Sequence, residues 1–333
     1  MTDDQQLIDT PESSNASGNT SPIEGRNERR EFFRAALGAA AVTAAGASAL
    51  AIATSASAAV IVDNVLLRYL VQLDYLAGQY FTFATTGVGL PAALLTGQTG
   101  EAAGAATGAR LVNFTDPVVG QYAAEIASDL KGNITWLRGQ LGAEGIVAQP
   151  AIDLGTTATG AFSKLAQAAG IVPAATSFDP YLNDGNFLLG AFMFEDVIVT
   201  AYINAVPNIA DKTILAGISA ILATHSHHAA VIRALLYKKG NTTPPTLRNN
   251  ADAISVVRDN LDGVPGIDDH GISPVTISGN IVSNIVPVAP NGSIVGRASG
   301  SVLNELYLNS TSATSGGFFT AGLNGDVKAS TAN

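Results

Sequence analysis

The sequence predicts an all-α protein, a four-helix bundle with one long crossover connection, followed by a C-terminal extension of irregular chain and short strands. Three observations carry this expectation. Apolar residues recur at three- and four-residue spacing over four long segments. Helix start and stop residues punctuate those segments. Past Asn241 the composition shifts to Asn, Thr, Pro, Gly and Val, and the helical period fades.

The first helix is expected from about Val60 to Ala84, where Leu66, Leu70, Leu73, Ala77, Tyr80 and Phe81 share one face. A Gly/Ala/Thr-rich connection, Gly87 to Phe114, follows. The second helix has Asp116 placed to cap, Pro117 in the first turn and Gly142 to stop it after Leu141. Its inner face reads Ile126, Ala127, Leu130, Ile134 and Leu137. The crossover, Glu144 to Tyr181, holds one short helical candidate from Ala158 to Ala169. The third helix starts after Asn183-Asp184 and ends before Pro207, with Phe187, Ala191, Phe192, Ile198, Val199 and Tyr202 inward. The fourth runs from near Asp211 to Lys238-Lys239-Gly240, cations and a glycine where a helix C-terminus favours them. Beyond it, Ile272 to Val295 reads as extended segments and turns, Ser299 to Leu308 as a short helix, and the chain loosens after Val327. Three divisions follow: 1–58 as a leader, 59–240 as the bundle, and 241–333 as an extension packed on it.

Composition excludes several chemistries. The chain has no Cys, so disulfides, thiolate metal sites and cysteine nucleophiles are out. A formal net charge of −10 without a basic stripe argues against a nucleic-acid partner, because phosphate contacts need clustered Lys or Arg. No Ser-His-Asp arrangement, phosphate loop or dinucleotide fingerprint is present. Arg258 to Asp269 shows Asn260, Asp262, Gly263 and Asp269 at EF-hand offsets, but it lacks the first acidic ligand and carries Pro265. Arg138 and Arg233, near the ends of their helices, read as ion-pair or carbonyl contacts.

The leader contains Glu28-Arg29-Arg30-Glu31-Phe32-Phe33-Arg34, then an Ala/Gly-rich apolar run ending Ala56-Ser57-Ala58. Paired arginines before a weakly hydrophobic run and an A-x-A site resemble a twin-arginine (Tat) export signal. That resemblance implies the Tat machinery as a partner, cleavage near Ala58, and a periplasmic or extracellular protein with no stable membrane span once cleaved. The alternative, an uncleaved anchor over Ala35 to Ala59, has only Leu37, Val42, Leu50 and Ile52 as large aliphatics.

Polar groups on the inner faces pose the functional question. Asp74 shares a face with Leu70, Leu73, Ala77 and Phe81. Glu195 shares one with Ala191, Phe192, Ile198 and Val199. His225 and His228 form an i, i+3 pair flanked by Ile221, Val231, Ile232 and Leu235. The second helix instead puts Leu130 and Asn133 inward, with Glu125 and Asp129 off its stripe. Groups buried like this must find one another, a metal or water.

In order and spacing, several stretches resemble the ferritin-like proteins often labelled desiccation-related. They are Leu73-Asp74-Tyr75-Leu76, Glu125-Ile126-Ala127 through Trp136-Leu137-Arg138, Phe194-Glu195-Asp196-Val197 through Ala201-Tyr202, Ile221-Leu222-Ala223 through His228-Ala229-Ala230, and the tail Gly316-Gly317-Phe318-Phe319 through Gly322-Leu323-Asn324-Gly325. A metal-loaded bundle of this type carries a Glu on each of helices one and three and Glu-x-x-His on helices two and four. By that resemblance Asp74 stands at the first Glu position and Glu195 at the third-helix Glu. Leu130 and Asn133 replace the second-helix pair, and His225 replaces the fourth-helix Glu while His228 keeps the His. A di-iron centre is therefore not expected, since leucine cannot bridge two irons. Asp74, Glu195, His225 and His228 remain as a set for a single Fe, Mn or Zn ion, or as a metal-free hydrogen-bonded cluster. The resemblance implies a structural or stress-protective role without turnover. The competing expectation is a mononuclear oxidase or reactive-oxygen-handling protein, and a third is an interaction module whose tail makes a homo-oligomer contact.

Overall fold

The computed structural model describes residues 56–98, 101–263 and 269–330. The twin-arginine segment lies outside the described residues. The first described helix begins at Ala56, across the cleavage position read near Ala58.

The bundle is built from α1 (Ala56–Thr86), α2 (Pro117–Gly145), the consecutive pair α4 (Asp184–Phe192) and α5 (Glu195–Ala205), and α6 (Lys212–Lys239). Their ends follow the chemistry the sequence offers. Asp116 accepts from Val118 N at 3.0 Å with Pro117 in the first turn, and Asp211 accepts from Thr213 N at 2.7 Å and Ile214 N at 3.0 Å. Gly142, with φ 64° and ψ 176°, ends the regular part of α2. Two buried carboxylates then hold the connections. Asp184 accepts from Thr115 N and Asp116 N, which ties the start of α4 to the start of α2. Asp63 accepts from Ala210 N and Asp211 N, which ties α1 to the start of α6.

The long crossover carries β2 (Ile152–Asp153), paired in parallel with β1 (Ala106–Thr107), and α3 (Ala161–Ala168). Aromatic residues from α1, α3, α4 and the C-terminal segment fill the middle of the core. Tyr80 stacks on Phe187 with ring centroids 5.3 Å apart and donates its hydroxyl to Phe187 O at 2.9 Å. Phe318, from the Gly316-Gly317-Phe318-Phe319 stretch, meets Phe162 edge-on at 5.0 Å. Trp136 of α2 lies against Gly217 of α6, where any side chain would collide with the indole.

Two elements differ from expectation. The third helix is not continuous: it breaks at Met193-Phe194, where Phe194 has φ −133°, and a new helix begins at Glu195. The break frees the Phe192 carbonyl, which accepts from a guanidinium nitrogen of Arg258. Second, the stretch after Asn241 is not all irregular, because it contains the 17-residue helix α7 (Thr246–Asp262). After α7 come the hairpin of β3 (Val275–Ile277) and β4 (Asn280–Val282), then α8 (Ser299–Tyr307).

The C-terminal segment joins the bundle through buried charge. Arg258 of α7 donates to Asp269 Oδ1 at 2.7 Å and Asp196 Oδ2 at 3.2 Å, and Arg233 of α6 reaches Asp196 Oδ2 at 2.8 Å. Arg297 pairs with Asp262 Oδ2 at 2.8 Å and lies 3.0 Å from Glu305 Oε1. Burial pushes the Glu305 carboxyl well above the usual carboxylate range, against the pull of Arg297. Burial raises the Asp269 carboxyl too, against the pull of Arg258 and Arg297.

Two helical stretches, Asp184–Asn208 and Lys212–Lys239, are long and apolar enough to cross a membrane by length and composition alone. The apolar window of the first is 89% buried inside the fold, as in a core helix, and that of the second 28%.

Candidate metal centre

Four side chains from three helices converge on one interior point. α1 contributes Asp74, α5 contributes Glu195 in its first turn, and α6 contributes His225 and His228 one turn apart. The break before Glu195 sets a helix N-terminus beneath that carboxylate, an end that favours negative charge. Asp74, Glu195 and His225 have no solvent exposure, and His228 is 5% exposed.

His225 is the hub. Its Nε2 lies 3.2 Å from Asp74 Oδ1 and its Nδ1 3.3 Å from Glu195 Oε2. Burial alone would push this imidazole down, but the two carboxylates outweigh it and raise its pKa to about 10. Both ring nitrogens then donate, and the imidazolium supplies positive charge between two acids. Tyr202 completes the group, donating to Asp74 Oδ1 at 2.8 Å with its ring 4.9 Å from that of His225. Burial, then the Asp74 charge, holds the Tyr202 phenol well above its ordinary value.

His228 has the opposite character. Burial pushes its pKa down, so the ring is neutral. Its Nε2 lies 3.2 Å from Asp129 Oδ2, and its Nδ1 has no hydrogen-bond partner. Asp129 belongs to α2, the helix expected to contribute only Leu130 and Asn133. Leu130 is fully buried at the contact, Glu125 is exposed, and Asp129 reaches inward from a side chain 43% exposed. Sequence reasoning thus missed Asp129 and Tyr202. Tyr202 is two turns after Glu195 on the same face, a signal that was legible. Asp129 was set aside because it is one residue off the apolar stripe.

The cluster is incompletely satisfied. Asp74 Oδ2, Glu195 Oε1 and His228 Nδ1 are all buried without a hydrogen-bond partner. Orphaned acceptors of this kind cost about 1–3 kcal/mol each unless a water or ion meets them. Glu195, His225 and His228 each offer a ligand atom within 4.8 Å of the others. The donor set of imidazoles and carboxylate suits one Zn, Mn or Fe(II) ion. From α2 the cluster receives the Asp129 carboxylate, through His228, while the neighbouring Leu130 is fully buried.

Fold and cluster together define a four-helix carboxylate–histidine bundle. The chain belongs to the ferritin-like domain family, whose model matches residues 62–238. It is 26% identical over 232 residues to the desiccation-related protein PCC13-62 of Craterostigma plantagineum, covering 66% of this chain and 71% of that protein. It is 24% identical over 275 residues to the ferritin-like catalase Nec2 of Nesocodon mauritianus, covering 80% and 84%. No solved structure gives a significant match.

Proposed function

We infer that this chain is an exported, stress-protective member of its family that holds one transition-metal ion in place of two and has no turnover of its own. The carrying observation is the set of buried, partnerless atoms, Asp74 Oδ2, Glu195 Oε1 and His228 Nδ1, around a histidine already flanked by carboxylates. Glu195, His225 and His228 would hold the ion, with Asp74 as an adjacent carboxylate, and His225 would give up one ring proton on binding it. A bound Fe, Mn or Zn would supply charge that crosslinks α5 and α6 and, for Fe or Mn, redox capacity. Asp129 fixes the His228 tautomer so that Nδ1 is the free nitrogen, and the buried aliphatic wall around Leu130 excludes water. The desiccation-related relative supports the protective role, and the paired arginines Arg29-Arg30 support export to the periplasm or beyond.

Elemental analysis of protein purified from its native compartment tests this reading. The expected result is close to one Fe, Mn or Zn per chain, lost in His228→Ala. Metal-free protein that takes up none of these ions on dialysis would overturn it. A second reading, peroxide handling, is favoured by the relative named as a catalase and by the Tyr202 hydroxyl on Asp74. Hydrogen peroxide consumption by the metal-loaded protein that fails in Glu195→Gln would select it.

A further inference from the structure

Gly271 to Gly296 contains no charged residue and no aromatic one, in a chain whose formal net charge is −10. It carries the β3–β4 hairpin, closed by the two-residue turn Ser278-Gly279 with φ 50° and 80°. Positive φ at both positions gives a turn whose twist matches that of paired strands. Every strand residue is exposed except the half-buried Val282, and Ile277 and Ile281 reach 59% and 80%. The base of the hairpin, by contrast, is fixed to the fold. Ile272 is fully buried, and Arg233 of α6 donates to the Gly271, Asn284 and Ile285 carbonyls. A rigid mount thus presents two short strands that pair with no third strand among the described residues.

An isolated two-stranded hairpin is marginal in water, and natural sheet edges are usually blunted by charge or proline. Pro274 precedes β3, but β4 carries neither a charge nor a proline. The register pairs Ile277 with Asn280 beside the turn, then Thr276 with Ile281. The pair flanking a two-residue turn is the hydrogen-bonded kind, so the alternation of an antiparallel ladder turns the Ile281 N–H and C=O to the outer edge. A lipid surface fits that edge poorly. No Lys, Arg, Trp or Tyr anchors the hairpin at an interface, and the net negative charge repels anionic headgroups. A second copy of the chain fits it well. Two molecules of equal negative charge meet at least Coulomb cost along a charge-free edge, and β4 is its own antiparallel complement about Ile281.

We propose that the chain forms a two-fold dimer through β4, the two hairpins joining into one continuous antiparallel sheet. Each Ile281 N–H donates to the Ile281 carbonyl of the other copy, and the two Ile281 side chains lie side by side on one face. The dimer does not depend on metal binding. Sedimentation of the full chain over a roughly hundredfold concentration range should show reversible dimerisation. Ile281→Lys and Ile281→Glu should each weaken it about tenfold or more, because like charges directly opposite repel, with the helical circular dichroism unchanged. An equimolar mixture of the two variants should restore the dimer, because the two-fold axis sets the opposite charges face to face. A chain that is monomeric throughout would leave the edge to another protein's strand and overturn the proposal. A dimer undiminished in both variants, or a mixture no more associated than its components, would overturn it equally. Binding of the native chain, but not of Ile281→Lys, to phosphatidylcholine vesicles in place of dimerisation would assign the edge to lipid and also overturn it.

Discussion

Replacing Arg258 by leucine should remove more stability than a single surface ion pair can explain. In the native protein its guanidinium has no solvent exposure, lies 2.7 Å from Asp269 and 3.2 Å from Asp196, donates to the Phe192 carbonyl, and sits 4.5 Å from the Phe192 ring centroid. Asp196 keeps Arg233 at 2.8 Å, but Asp269 is left with Arg297 at 3.7 Å, and the carbonyl at the helix break loses its donor. Removing one partner of a buried pair costs about 3–5 kcal/mol, because the remaining charge stays in a poorly solvating interior. The added leucine methyl groups return only part of this. Urea unfolding followed by circular dichroism is the assay, with Asp269→Leu and the double variant completing the cycle. We expect about 3–5 kcal/mol lost for Arg258→Leu and a coupling of about 2–3 kcal/mol, so that the double variant is markedly less destabilised than the sum. A loss below about 1 kcal/mol, or strict additivity, would refute the claim that these charges depend on one another.

Other outcomes follow from the same structure. In metal-free protein, His225 titrates near 10 against about 6.5 when unfolded, so its contribution is complete below about pH 6.5 and is lost as pH rises through 10. The stability difference between the native protein and His225→Gln should therefore shrink over that window, and a constant difference would count against an imidazolium. His228, pushed down by burial, acts in the opposite sense, weakening the fold as pH falls below about 6.5. Asp129→Asn should lower Co(II) or Zn(II) affinity about 10- to 100-fold while leaving the helical content unchanged. Glu305→Gln should change stability by less than about 1 kcal/mol if the native carboxyl is neutral, whereas a loss above about 3 kcal/mol would show a required charge.

Most of the bundle was legible because caps and periodicity agree. Asp116-Pro117, Asn183 and Asp211 mark helix starts, and Gly142 marks an end, each by a local mechanism that tertiary packing did not override. The convergence of Asp74, Glu195, His225 and His228 was likewise readable from faces alone. The break at Met193-Phe194 was not, since Phe194 is a residue any helix accommodates. What stabilises the break is Arg258, distant in sequence, bonding the freed carbonyl. Helix α7 was overlooked because Thr, Asn and Pro dominate its start, although Leu247, Ala251, Ile254 and Arg258 already repeat with a helical period. Asp129 escaped because stripe analysis asks where a Cα sits, whereas a carboxylate at a stripe's edge can still reach the interior.

The ferritin-like match ends at 238, yet the chain cannot be cut there without cost. Severing it after Gly240 would strip Asp196 of Arg258, and Arg233 of its bonds to the Gly271, Asn284 and Ile285 carbonyls. Phe318 would leave an empty space beside Phe162 and Phe194 in the aromatic centre. Glu195 is the immediate neighbour of Asp196, so the groove that would cradle an ion inherits its rigidity from sequence lying beyond the recognised homology. Any excised fragment, fusion partner or transplanted module built from this protein should keep the polypeptide through Ser330, whose hydroxyl oxygen accepts from Ala313 N at 2.9 Å.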